Sequence, residues 1–84
     1  MAHYTTGKVS RLYATKGQTY IRLSGAADQP KDGYFILRTN HNNYNALYSL
    51  ALSAAVNRHD LSIRTAAEIS NSSHAEVEYM VVDW

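Results

Sequence analysis

Eighty-four residues suffice for one small core, so the chain reads as a single domain over 1–84. Hydrophobic residues make up 45% and charged residues 18%, which excludes a disordered chain; the absence of cysteine excludes disulfides, a thiolate nucleophile and cysteine-ligated metal sites. Eight Lys and Arg against seven Asp and Glu leave a net charge of +1, too little for the strong nonspecific phosphate attraction of a dedicated duplex-binding protein.

Gly7 opens a first strand, Lys8 to Ala14, whose apolar residues alternate only approximately, as in a strand interrupted by a bulge. Lys16-Gly17 is a turn signal. Gln18 to Leu23 follows as a second strand paired with the first in a hairpin, with Thr19, Ile21 and Leu23 on one face and Tyr20 and Arg22 on the other. Gly25, Asp28, Pro30, Asp32 and Gly33 mark Ser24 to Gly33 as a loop. Tyr34 to Thr39 reads as a third strand, buried on one face and partly covered on the other.

The polar cluster Asn40-His41-Asn42-Asn43 supplies an Asn side chain to cap a helix starting near Asn43, and Leu47, Tyr48, Ala51 and Ala55 then recur at helical spacing as far as about Arg58. The polar end Asn57-Arg58-His59 suits the negative pole of the helix. Leu61, Ile63 and Thr65 alternate with Ser62 and Arg64 in a fourth strand, and Asn71-Ser72-Ser73 is a loop. A fifth strand sets Val77, Tyr79 and Val81 against Glu76, Glu78, Met80 and Val82.

Three strands, one helix and two strands, with a long first strand able to serve both sheet halves, is the order of an OB-fold, the five-stranded Greek-key barrel with a helix between strands three and four. The competing architecture is a small α+β domain, one antiparallel sheet with a single helix on one face.

Between Tyr44 and Asn57 the helix carries no charged residue. Its apolar arc takes in Tyr44, Leu47, Tyr48, Ala51, Leu52, Ala54 and Ala55, widening to Leu50 and Val56, and leaves a narrow strip of Ala46, Ser49, Ser53 and Asn57. Small uncharged side chains permit close backbone approach, so Ala46, Ser49, Leu50, Ser53, Val56 and Asn57 are the expected interface residues of a homo-oligomer. The alternative is a core helix whose outer strip of Ser and Asn simply faces water.

A second constellation, Arg11, Tyr13, Tyr20, Arg22, Tyr34 and Arg38, lies on the first three strands. Parity sends Ile21, Leu23, Phe35 and Leu37 inward and leaves a Tyr and Arg surface outside, where rings stack on bases or sugars and guanidinium groups contact phosphates or carboxylates. The alternative is that Tyr and Arg are good cross-strand neighbours covering a sheet face.

His3, His41, His59 and His74 fall at no metal-ligand spacing, so no metal or other cofactor is expected. His59-Asp60 with a serine makes no nucleophile elbow, and no glycine-rich phosphate loop occurs, so no enzymatic activity is expected. Asn71-Ser72-Ser73 matches the glycosylation triplet, a pattern frequent by chance. The longest uncharged stretch, Thr39 to Asn57, is interrupted by His41 and several Asn and Ser, so membrane insertion is not expected. Met1 to Thr6 lacks a basic, then apolar, leader; the expected location is the cytoplasm, with secretion following only if a signal peptide once preceded this chain.

Gly7-Lys8-Val9 with Leu12, Tyr34-Phe35-Ile36-Leu37, a helix rich in Tyr44, Leu47 and Ala54-Ala55, and Leu61-Ser62-Ile63 together resemble the B subunits of bacterial AB5 toxins, particularly the subtilase-cytotoxin and pertussis-like group. The resemblance spans most of the chain and implies OB-fold subunits in a five-membered ring, with helices near the axis and glycan sites outside. Those subunits are secreted and disulfide-bonded, whereas this chain has no cysteine, and no glycan-binding residue carries over by position.

Two functions remain open. One is a non-enzymatic, self-assembling OB module that binds a glycan or a protein partner. The other is an OB module for single-stranded nucleic acid, made the less expected by a total of three lysines.

Overall fold

The computed structural model describes residues 3–26, 29–30, 33–66, 68–69 and 74–82. The elements run β1 (Tyr4–Ala14), β2 (Gln18–Ser24), β3 (Tyr34–Arg38), α1 (Tyr44–Asn57), β4 (Asp60–Thr65) and β5 (His74–Val82). The protein is mainly β with one helix. Its five strands close on themselves in the order β1-β2-β3-β5-β4 and back to β1, which sets aside the open antiparallel sheet. All pairings are antiparallel except β3 with β5, where Phe35 lies opposite Ala75 and Ile36 opposite Glu76 in parallel register.

Closure depends on β1, which begins at Tyr4, earlier than its hydrophobic pattern suggests, and changes partner halfway. Its first half pairs with β4 and its second half with β2, and Lys8 belongs to both ladders, opposite Asp60 on one side and Ser24 on the other. The Lys8 ammonium also reaches Asp60 Oδ1 at 2.7 Å. Gly7 makes the corner possible: a Cβ there would stand 2.7 Å from the Ser24 carbonyl oxygen, a distance no real side chain tolerates.

The expected alternation holds on β2 and β3. Thr19, Ile21, Leu23, Phe35 and Leu37 are buried, and Ile36, on the outer side, is covered between its register partners Tyr20 and Glu76. On β5 the expectation fails: Tyr79 is 46% exposed and Met80 is buried. The register slips between Arg64 and Thr65, which face Tyr79 and Val77, so Glu78 is an extra residue and the strand changes faces after it. Inward positions are therefore Ala75, Val77 and Met80, and Val81 is only half-buried. Ser62, placed outward by alternation on β4, is nearly covered and shares a 2.7 Å hydrogen bond with Thr6.

The helix packs against β1, β3, β4 and β5 and sends Leu47, Ala51 and Ala54 into the core, while Tyr44 hydrogen-bonds through its hydroxyl to buried Thr19 at 2.7 Å. Leu52, expected within the apolar arc, is 44% exposed instead. The Asn43 side chain makes no cap bond. His41 performs that role: its Nδ1 accepts the Asn43 N–H at 3.0 Å, and its Nε2–H donates to the Glu78 carbonyl at 3.2 Å, tying the start of the helix to β5. At the other end Arg58 leaves the helix with φ 57°, and the His59 N–H closes back on the Ala54 carbonyl at 3.0 Å, an ending more often given to glycine. Ile69, in the connection from β4 to β5, is fully buried in the core.

Candidate functional site

A bulge assembles the outer face of β1, β2 and β3. Val9 pairs with Leu23, but Arg11, two residues on, pairs with Arg22, one residue back, so Ser10 is the additional residue in β1. The extra residue turns Arg11 and Tyr13 to the same side as Arg22 and Tyr20. Without it the alternation would carry Arg11 and Tyr13 to the core side. The Ser10 hydroxyl fastens the irregularity by donating to the Arg22 carbonyl at 3.2 Å.

Three tyrosine rings then meet. Tyr13 and Tyr20, direct register partners, stack with centroids 4.8 Å apart and planes 19° from parallel. Tyr34 meets both edge-on, at 5.6 and 5.9 Å, the geometry preferred by ring quadrupoles. Arg22 lies over the Tyr34 ring at 5.7 Å, and Arg11 Nη1 donates to the Tyr34 hydroxyl at 3.3 Å. Beside this positive charge the Tyr34 phenol is held below its ordinary value of 10.0. The Arg11 hydrogen bond is the largest cause; partial desolvation works against it and Arg22 adds to it.

Arg38 is on the same face but faces a different neighbour. Its Nε sits 2.6 Å from Glu76 Oε1 on β5, and its Nη1 donates to Gln18 Oε1 at 3.0 Å. Gln18 in turn donates to the Tyr20 hydroxyl. All six expected face residues, Arg11, Tyr13, Tyr20, Arg22, Tyr34 and Arg38, are thus linked, with Gln18 as a connector outside the expected set. Gln18 has the parity of Tyr20 and Arg22, which was signal enough. Glu76 had no such signal, because a parallel register across the helix leaves no local mark on the sequence.

Arg11, Tyr13, Arg22 and Arg38 are exposed, whereas Tyr20 and Tyr34 are half-buried by their neighbours. An open hollow of about 530 Å³ adjoins the two unclaimed arginines, lined by Ser10, Arg11, Arg22, Leu23, Ser24 and Gln29. Among the described residues no carboxylate forms an ion pair with Arg11 or Arg22.

The second expected surface, on α1, is uncharged as anticipated. Ala46, Ser49, Ser53, Val56 and Asn57 are exposed, Val56 at 72%, whereas Leu50 is half-buried against the core and Leu52 takes the outward place. Asn57 turns its amide back on the Ser53 carbonyl at 2.9 Å. Among the described residues no three His, Asp or Glu side chains gather as metal ligands, and no helix is long and apolar enough to cross a membrane. Asn71-Ser72-Ser73 lies outside the described residues.

No family model, curated protein or solved structure matches this chain.

Proposed function

We propose that this chain is a non-enzymatic binding module built on an OB-fold barrel, self-assembling through α1 and taking a glycan or protein partner on the outer face of β1, β2 and β3. The reading rests on one observation: three tyrosines and two arginines, from three strands, meet as a single outward cluster. A cluster made only to cover the sheet would need no positive charge beyond what nearby carboxylates balance, and among the described residues the charge of Arg11 and Arg22 is surplus to that. The strand order β1-β2-β3-β5-β4 and the position of α1 support the OB assignment, and in OB-folds this face is the usual ligand surface.

Support for self-assembly comes from α1, whose outer residues are small, apolar or amide and never charged over fourteen positions, with Leu52 and Val56 left in water on a domain too small to be generously stable alone. A second copy is the occupant that fits an uncharged, self-complementary strip. The competing reading, a module for single-stranded nucleic acid, is favoured by the stacked Tyr13 and Tyr20 rings beside arginine, and opposed by the low net charge.

Two measurements test the proposal. Light scattering at high micromolar concentration is expected to give a multiple of the 9.4 kDa chain mass, reduced to the monomer by Ser53→Glu, since a carboxylate buried unpaired at an interface costs several kcal/mol. A wild-type monomer overturns the assembly. For the face, Tyr20→Ala is expected to weaken ligand binding about tenfold or more, with little response to salt between about 50 and 200 mM for a neutral glycan. Micromolar binding of single-stranded DNA that collapses over that salt range and is lost in Tyr20→Ala would install the nucleic-acid reading instead.

A further inference from the structure

Arg11 and Arg22 are register partners on adjacent antiparallel strands, so two guanidinium stems rise side by side from one pair of positions. Like charges placed directly opposite one another destabilise a sheet. Elsewhere the chain avoids this cost: Arg38 has Glu76 at 2.6 Å, and Arg64 has Glu78 at 3.8 Å. At the bulge, among the described residues, Tyr34 alone answers both cations, with its hydroxyl for Arg11 and its ring for Arg22. A phenol and a ring quadrupole neutralise neither charge.

The chemistry of the missing counterion follows from the donors. A carboxylate carries one charge on two oxygens and is matched in charge and in fork geometry by one guanidinium, whereas two guanidinium groups offer about ten N–H donors and two full charges to a single point. A tetrahedral oxyanion with three terminal oxygens matches that supply. The hollow beside the pair has room for it, and Ser10, Ser24 and Gln29 add polar atoms to its wall. Tyr13, 40% exposed on the same face, stands where a sugar ring attached to the oxyanion could lay its apolar side.

We propose that Arg11 and Arg22 form an oxyanion subsite of the Tyr and Arg face, selecting ligands that carry a sulfate or phosphate monoester, above all an esterified sugar. The inference rests on that face being the ligand surface and adds the group that the ligand must bear.

The test follows the arginine Nε–H signals of isotopically labelled full-length protein titrated with sodium sulfate, sodium phosphate and sodium chloride at matched ionic strength. Saturable shifts confined to Arg11 and Arg22, at least about tenfold weaker in Arg11→Gln or Arg22→Gln and unchanged in Arg64→Gln, are the expected result. Sulfate should also raise the melting temperature more than chloride does, and this margin should shrink in the Arg11→Gln/Arg22→Gln double variant to the general stabilisation that sulfate gives by exclusion from the surface. Glucose 6-sulfate and glucose 6-phosphate then separate the two sources of oxyanion, and each should bind more tightly than glucose. Shifts that do not saturate, or that chloride reproduces, identify an adventitious ion only and overturn the subsite. So does a phosphodiester oligonucleotide that binds where both monoesters fail. If an unesterified glycan binds in a Tyr13-dependent way indifferent to Arg11→Gln, the subsite falls while the ligand face stands. If sulfate saturates the pair but Tyr13→Ala and Tyr20→Ala alter no sugar binding, the subsite stands and the stacking face falls.

Discussion

Arg38 Nε lies 2.6 Å from Glu76 Oε1 across the one parallel seam of the closed sheet, so this arginine is already neutralised, whereas Arg11 and Arg22 meet no carboxylate among the described residues. Both side chains of the pair are about half exposed, which limits its worth to stability to roughly 0–1 kcal/mol. Its effect falls on the ligand instead. Arg38→Ala is expected to change the affinity for an anionic ligand by no more than about two- to threefold, whereas Glu76→Gln, which releases Arg38, should strengthen it. Isothermal titration of wild type, Arg38→Ala, Glu76→Gln and Arg22→Ala against one ligand checks the order; a loss in Arg38→Ala as large as that in Arg22→Ala contradicts it.

The start of the helix depends on His41 and not on the Asn43 side chain. His41→Ala removes both the acceptor for the Asn43 N–H and the donor to the Glu78 carbonyl, a loss of about 1–2 kcal/mol at roughly 1 kcal/mol per bond. Asn43→Ala deletes no cap bond and should cost less than about 0.5 kcal/mol. Urea unfolding of both variants decides between the two residues, since a side-chain cap at Asn43 would reverse the ranking.

Gly7 has no room for a methyl group. With the Ser24 carbonyl oxygen 2.7 Å from the position of a Cβ, Gly7→Ala must push β1 away from β2 where β1 changes partner, and a loss of about 1–3 kcal/mol is expected. Gly17, in the open turn between β1 and β2, is the control: nothing lies within 4 Å of a Cβ placed there, and Gly17→Ala should leave stability unchanged or raise it by about 0.4–1 kcal/mol. Equal destabilisation by the two changes would contradict the corner geometry.

Tyr34 should ionise at a lower pH than an ordinary phenol, because deprotonation places a negative charge where Arg11 already donates a hydrogen bond. Removing that donor in Arg11→Ala raises the value back toward 10.0. An ultraviolet difference titration, with Tyr34→Phe subtracted to isolate the residue, reads the shift. No upward movement in Arg11→Ala would mean that the hydrogen bond does not form in solution.

The sequence disclosed the Tyr and Arg face more fully than it disclosed the strand that completes the sheet. On β2 the alternation is uninterrupted and bounded by turn residues, so parity alone places Tyr20 and Arg22 outside. The irregular alternation of β1 announced a bulge, though not that Ser10 was the residue that turns Arg11 and Tyr13 outward. On β5, Val77, Tyr79 and Val81 imitate a clean alternation, and the slip after Val77 is imposed by pairing with β4, a partner whose register is not encoded locally. The same holds for His41, whose capping role requires the Glu78 carbonyl to be brought to it from 37 positions away.

The partner exchange in β1 also sets a timetable for folding. The β1–β2 hairpin can form as soon as those residues meet, but the ladder that closes the sheet joins β1 to β4, as in the hydrogen bond between Thr6 and Ser62, 56 positions apart. Such distant pairing incurs its loop-closure entropy before it gains any contact, which places folding in the millisecond-to-second range rather than the microseconds of a helical bundle. During synthesis Tyr4 to Gly7 therefore wait without their β4 partners until Leu61 to Arg64 have left the ribosome.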